Sequence, residues 1–106
     1  MLEITPTELK EYLTIANPPP LLLDVREPAE FAICRIDGSR HIPMSQIPEA
    51  QETLDPEQEI IVICHHGARS ARVASYLHQI GFSKVFNLAG GIHAWASEVD
   101  PNMQTY

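Results

Sequence analysis

The stretch "IIVICHHGARSARVASYLHQIG", Ile60 to Gly81, decides the fold. Ile60 to Cys64 is wholly apolar, as expected of a short strand covered on both faces. From Ala68 onward the period changes: Val73, Leu77 and Ile80 recur at helical spacing, and Gly81 is a natural C-terminal stop. Between the two patterns stand Cys64, His65, His66 and Gly67. A cysteine therefore sits where a buried strand gives way to a helix.

Outward from this stretch the same alternation repeats. "LLLDV" (Leu21 to Val25) and "KVFNL" (Lys84 to Leu88) read as two further strands, and "DGSRHIP" as turn chemistry leading into a brief extended segment. "TPTE" is a helix start: Thr5 caps, Pro6 takes the first helical position and Glu8 completes a capping box. Leu9, Tyr12, Leu13 and Ala16 then form one apolar face, until "NPPP" (Asn17 to Pro20) ends the helix. "EPAEFAI" (Glu27 to Ile33) is a short helix with Pro28 in its first turn. "SQIPEAQETLDPEQE" offers helical turns broken by Pro48 and Pro56, and "GGIHAWASEV" closes with Ile92, Trp95, Ala96 and Val99 at helical spacing. Strands separated by helices of about ten residues imply crossovers, hence an α/β fold. The expectation is one domain over residues 1–99, with a mainly parallel sheet of about five strands, helices on both faces, and a loosely ordered tail over 100–106.

The chain has 106 residues, 44% hydrophobic and 20% charged, with a net charge of −7. That balance argues against a nucleic-acid partner, which needs clustered Lys and Arg, and gives no support for docking on an anionic membrane. The longest apolar run is far short of a membrane span of about 20 residues. The N-terminus lacks the basic and apolar regions of a signal peptide, so a cytoplasmic location is expected, where Cys34 and Cys64 stay reduced thiols rather than a disulfide.

In open parallel sheets, ligands bind beyond the carboxyl ends of the strands, where Cys64 stands. A strand end followed by a helix start collects unpaired amides and the positive helix end, both favouring an anion. Gly67 lets the backbone turn, so the amides of the loop form a cradle at the sulfur, and the cation of Arg69 closes it. Such surroundings favour a thiolate, a nucleophile for anionic substrates. A cysteine after "IIVI" also fits a core residue ending a strand. Gly67, Arg69 and Ser70 tip the reading toward a site.

"CHHGARS" (Cys64 to Ser70) resembles the active-site loop of rhodanese-type sulfurtransferases: a cysteine, four residues and an arginine, with the glycine in the middle. "LLLDVREPAEF" is similar to that family's strand-and-turn element, with Asp24, Arg26, Glu27 and Glu30 at their usual places. "RIDGSRHIP" resembles its following turn and "LAGGIHAWASEVDP" its C-terminal signature, so the likeness covers nearly the whole chain. One departure is Cys34-Arg35-Ile36, where the family has Gly-His-Ile.

The resemblance implies a sulfurtransferase without a cofactor. Cys64 would take a sulfane sulfur from a small anionic donor such as thiosulfate, hold it as a persulfide and pass it to cyanide or a thiol. His65, His66, Gly67, Ala68, Arg69 and Ser70 would bind the substrate: Arg69 by charge, Ser70 within the loop, the others chiefly through amides. Asp24 and Arg26 would support neighbouring loops. A protein that feeds or drains sulfur is a further partner open to such an enzyme. Related phosphatases and arsenate reductases have a loop one residue longer, which disfavours that chemistry here. A rhodanese-like binding or regulatory module without turnover is the rival reading, against which intact Cys64, Gly67 and Arg69 weigh. The five histidines show no zinc spacing, so no metal is implied. Trp95 is expected in the core.

Overall fold

The capping box written in the sequence forms: the Thr5 hydroxyl accepts the Glu8 amide at 3.2 Å, and the Glu8 carboxylate accepts the Thr5 amide at 2.9 Å. It opens helix α1 (Pro6–Ile15) in the computed structural model, which describes residues 2–106; Met1, the first residue of the expected domain, lies outside them. The remaining helices are α2 (Pro28–Ile33), α3 (Ile47–Ala50, between two 3-10 turns), α4 (Ala68–Gln79) and α5 (Gly91–Glu98). Among the described residues five strands pair: β1 (Leu2–Ile4), β2 (Leu21–Asp24), β3 (Arg40–His41), β4 (Ile60–Ile63) and β5 (Val85–Leu88). Every pairing is parallel and the order is β1-β5-β4-β2-β3. The expected α/β architecture is thus borne out, with β1 added at one edge. Its three residues are too few to announce a strand by periodicity.

The central strand shows why "IIVI" is apolar throughout. Ile60, Val62 and Cys64 pack with Val73, Ala74 and Leu77 of α4 and Ile47 of α3. Ile61 and Ile63 turn to the other face and join Leu9 of α1 with Ile92 and Trp95 of α5. Successive strand residues alternate faces, so a strand buried on both sides sets every side chain against an apolar layer. Trp95 belongs to the core, as expected.

Register then sets the level of the site. Asp24 pairs with Ile63, which places Val25 and Cys64 together one step past the sheet. Asn87 of β5 pairs with Val62 and with Glu3 of β1. By the period of two, Asn87 shares the face of Val62 and Val85, toward α4. In the tail, Met103 packs against the α1/α5 side of the core, and the Tyr106 hydroxyl accepts from Arg26 and donates to Glu30. Both cysteines are free thiols, and no described helix is long and apolar enough to cross a membrane.

Candidate active site at the carboxyl edge of the sheet

Cys64 is only 1% exposed, and its Sγ accepts hydrogen bonds from the Gly67 amide at 3.0 Å and the Ser70 hydroxyl at 3.2 Å. The amide reaches the sulfur because Gly67 takes φ +105°, a left-handed conformation that costs other L-residues energy. Gly67 is the residue before α4, and Ser70 lies in its first turn, so the sulfur sits at the helix's positive end. Ala68, the first helical residue, is exposed at the mouth.

A second layer fixes this loop, and it was not foreseen. Asn87, buried in β5, donates from Nδ2 to the Gly67 carbonyl at 3.1 Å and to the Glu3 carboxylate at 3.1 Å. Those two acceptors settle the amide's orientation, which turns Oδ1 toward the Ser70 hydroxyl as a close acceptor. Ser70 thus has one proton and two acceptors, Asn87 Oδ1 and Cys64 Sγ. A thiolate draws that proton; a thiol leaves it to Asn87. Within "KVFNL", the strand Val85–Leu88 carries one polar residue, and that is the signal that points to Asn87 in the sequence.

Helix α5 closes the loop from the other side. The Ile92 amide donates to the Cys64 carbonyl at 2.8 Å and the His93 amide to the His65 carbonyl at 3.0 Å. The same contact brings the imidazoles of His65, His66 and His93 together at the mouth. Burial first, and then the neighbouring His66, hold His65 below the ordinary histidine value. His65 also stacks on Tyr106, ring centroids 4.0 Å apart.

Arg69 forms a bidentate pair with Glu30 of α2, at 2.7 and 2.8 Å. The Glu30 carboxylate also accepts the Glu27 amide at 3.0 Å and the Tyr106 hydroxyl at 3.0 Å. Hydrogen bonds from Arg69 therefore hold its pKa down to about 2. Asp24 and Arg26, both fully buried, pair at 2.8 Å. Arg26 further donates to the Cys34 carbonyl at 2.6 Å and the Tyr106 hydroxyl at 3.0 Å. At the departure Cys34-Arg35-Ile36, this buried arginine thus holds the turn through Cys34, while Ile36 enters the core. Arg26 and Asp24 touch the walls of the site, and their hydrogen bonds do not include Cys64.

Comparison with known proteins agrees with this architecture. Residues 5–98 match the family described as "Rhodanese-like domain". A putative sulfurtransferase of Bacillus subtilis, YtwF, is 43% identical over 99 residues, 93% of this chain and 94% of its own. An Arabidopsis thaliana chloroplastic rhodanese-like/PpiC domain-containing protein is 40% identical over 89 residues, 80% of this chain, and the match spans only 30% of its length. The crystal structure of SSP1007 from Staphylococcus saprophyticus superposes with a TM-score of 0.86 at 38% identity, covering 93% of this chain and 97% of that one.

Proposed function

This chain belongs to the rhodanese-like domain family, and from that premise we propose that it is a sulfurtransferase working through a persulfide on Cys64. The observation that carries the reading is the seat of Cys64 Sγ, buried at the carboxyl edge of β4 and met by the Gly67 amide and Ser70 hydroxyl. The sulfurtransferase name of the Bacillus relative supports the reaction class.

The Cys64 thiolate attacks the outer sulfur of a donor such as thiosulfate. A new S–S bond forms on Cys64, the donor's S–S bond breaks, and sulfite departs with the bonding pair. A nucleophile, cyanide or a thiolate, then takes the outer sulfur and returns Cys64 to the thiolate. In both half-reactions negative charge stays on sulfur within the loop, where preorganised donors stabilise it without reorganising. Arg69, already paired with Glu30, attracts the donor less than a free guanidinium does, and Ala68 adds no charge at the mouth. A high KM for thiosulfate follows. The six residues from Cys64 to Arg69 disfavour phosphatase or arsenate reductase chemistry, whose loops are one residue longer.

Thiosulfate-to-cyanide transfer by the protein and by Cys64→Ser, with intact-mass analysis after exposure to donor, tests the reading. Turnover and a mass gain of one sulfur are expected for the first and neither for the second. Absence of both in the unmutated protein sinks the reading in favour of a binding module. Activity surviving in the serine variant excludes Cys64 as nucleophile.

A further inference from the structure

Helix α5 supplies what the adjacent pair His65–His66 lacks in sequence, a third imidazole. Ring centroids are 4.0 Å apart for His65 and His66, 4.9 Å for His66 and His93, and 6.2 Å for His65 and His93. One ligand nitrogen from each lies within 4.8 Å of the other two. We propose that His65, His66 and His93 form a binding site for a divalent transition-metal ion of the zinc class.

Tetrahedral coordination at 2.0–2.1 Å asks for nitrogens about 3.4 Å apart, so the widest pair has to close by up to about 1.4 Å. His66 and His93 are exposed, and rotation of their side chains supplies that movement. The backbone is already set: the His93 amide is bonded to the His65 carbonyl, and Tyr106 stacks on the His65 ring. Three imidazoles select zinc, copper, nickel or cobalt over magnesium or calcium, which prefer oxygen ligands. Three protein ligands leave a fourth position open to solvent. The site differs from the nucleophile's seat, since Cys64 Sγ turns inward to Gly67 and Ser70.

Titration of the reduced protein with Co2+, followed by visible absorption, tests the site, with Zn2+ competing against a chromophoric chelator. One ion per chain is expected, without a sulfur-to-cobalt charge-transfer band. Cys64→Ser should bind as the unmutated protein does. His93→Ala and His66→Ala, both at exposed positions, should weaken binding at least about tenfold with unchanged Tm. Loss of binding in Cys64→Ser makes the thiolate the ligand and overturns the proposal. So does unchanged binding in His93→Ala, or the absence of saturable binding in the unmutated protein.

Discussion

Gly91 stands so close to His65 that a β-carbon on it would lie 2.5 Å from the His65 carbonyl oxygen, with the Cys64 carbonyl equally crowded. That approach is what allows the amides of Ile92 and His93 to bond the same two carbonyls. The loop that carries Cys64 is therefore clamped between two helix starts, α4 beneath the sulfur and α5 behind the backbone.

Gly91→Ala breaks this clamp. The substitution meets both a positive φ of 61° and two backbone oxygens that cannot retreat without releasing α5. Gly38→Ala is the control, since Gly38 has φ +85° with nothing within 4 Å of an added β-carbon. The control should lose about 1–2 kcal/mol of stability from the backbone conformation alone, and sulfur transfer per folded molecule should hold. Gly91→Ala should lose clearly more stability and at least tenfold in transfer. Equal losses in the two variants would remove the clamp from the account.

Ser70→Ala isolates the hydroxyl at the sulfur. A hydrogen bond to a charged group contributes about 1.5–3 kcal/mol, so transfer should slow roughly tenfold to a hundredfold. The lost contact is to Cys64 Sγ, so under the proposed mechanism kcat should fall with KM for thiosulfate nearly unchanged. A change confined to KM would place Ser70 on the donor instead.

Much of this site is legible in the sequence because its parts are local. Cys64, Gly67 and Ser70 fall within seven residues, and the change of period around them marks strand, loop and helix. The capping box at Thr5 and Glu8 is likewise a spacing of three. What escapes is assembled across the chain: Glu3 reaches Asn87, Glu30 reaches Arg69 and His93 reaches His65 only once the strand order is known. Arg69 illustrates the limit. Its residue type and position predict a cation at the loop, yet nothing nearby in sequence says that Glu30, 39 residues earlier, takes both of its terminal nitrogens.

Acid should reach the Arg69–Glu30 pair only well below the ordinary carboxylate range. Glu30 titrates at about 2 in the folded chain, well below an ordinary carboxylate. A depressed folded-state value stabilises the fold fully above the ordinary range, and that contribution is lost as pH falls from about 5 through about 2. Glu30→Gln lacks it throughout. Its Tm should be lower than that of the unmutated protein at pH 7, and the gap should narrow steadily toward pH 2. Thermal unfolding of both across this range measures the gap; a gap independent of pH would mean that the pair adds nothing through charge.

Asp24 and Arg26 pose a different question, since two fully buried charges beside an active site suit either support or chemistry. Their contacts answer for support. Asp24 accepts the Arg26 amide at 3.1 Å, Nε at 2.9 Å and Nη2 at 2.8 Å, while Arg26 also holds the Cys34 carbonyl and Tyr106. Removing one partner of a buried pair strands the other, at a cost of about 3–5 kcal/mol, whereas removing both with apolar residues of similar size costs far less than the sum. Asp24→Leu and Arg26→Met should each destabilise by that amount, and the double variant should recover part of the loss in denaturant unfolding. Sulfur transfer per folded molecule should stay within a few-fold of the unmutated protein in all three. If instead Arg26→Met abolished transfer while the protein remained folded, Arg26 would have to be moved from the wall of the site to its chemistry.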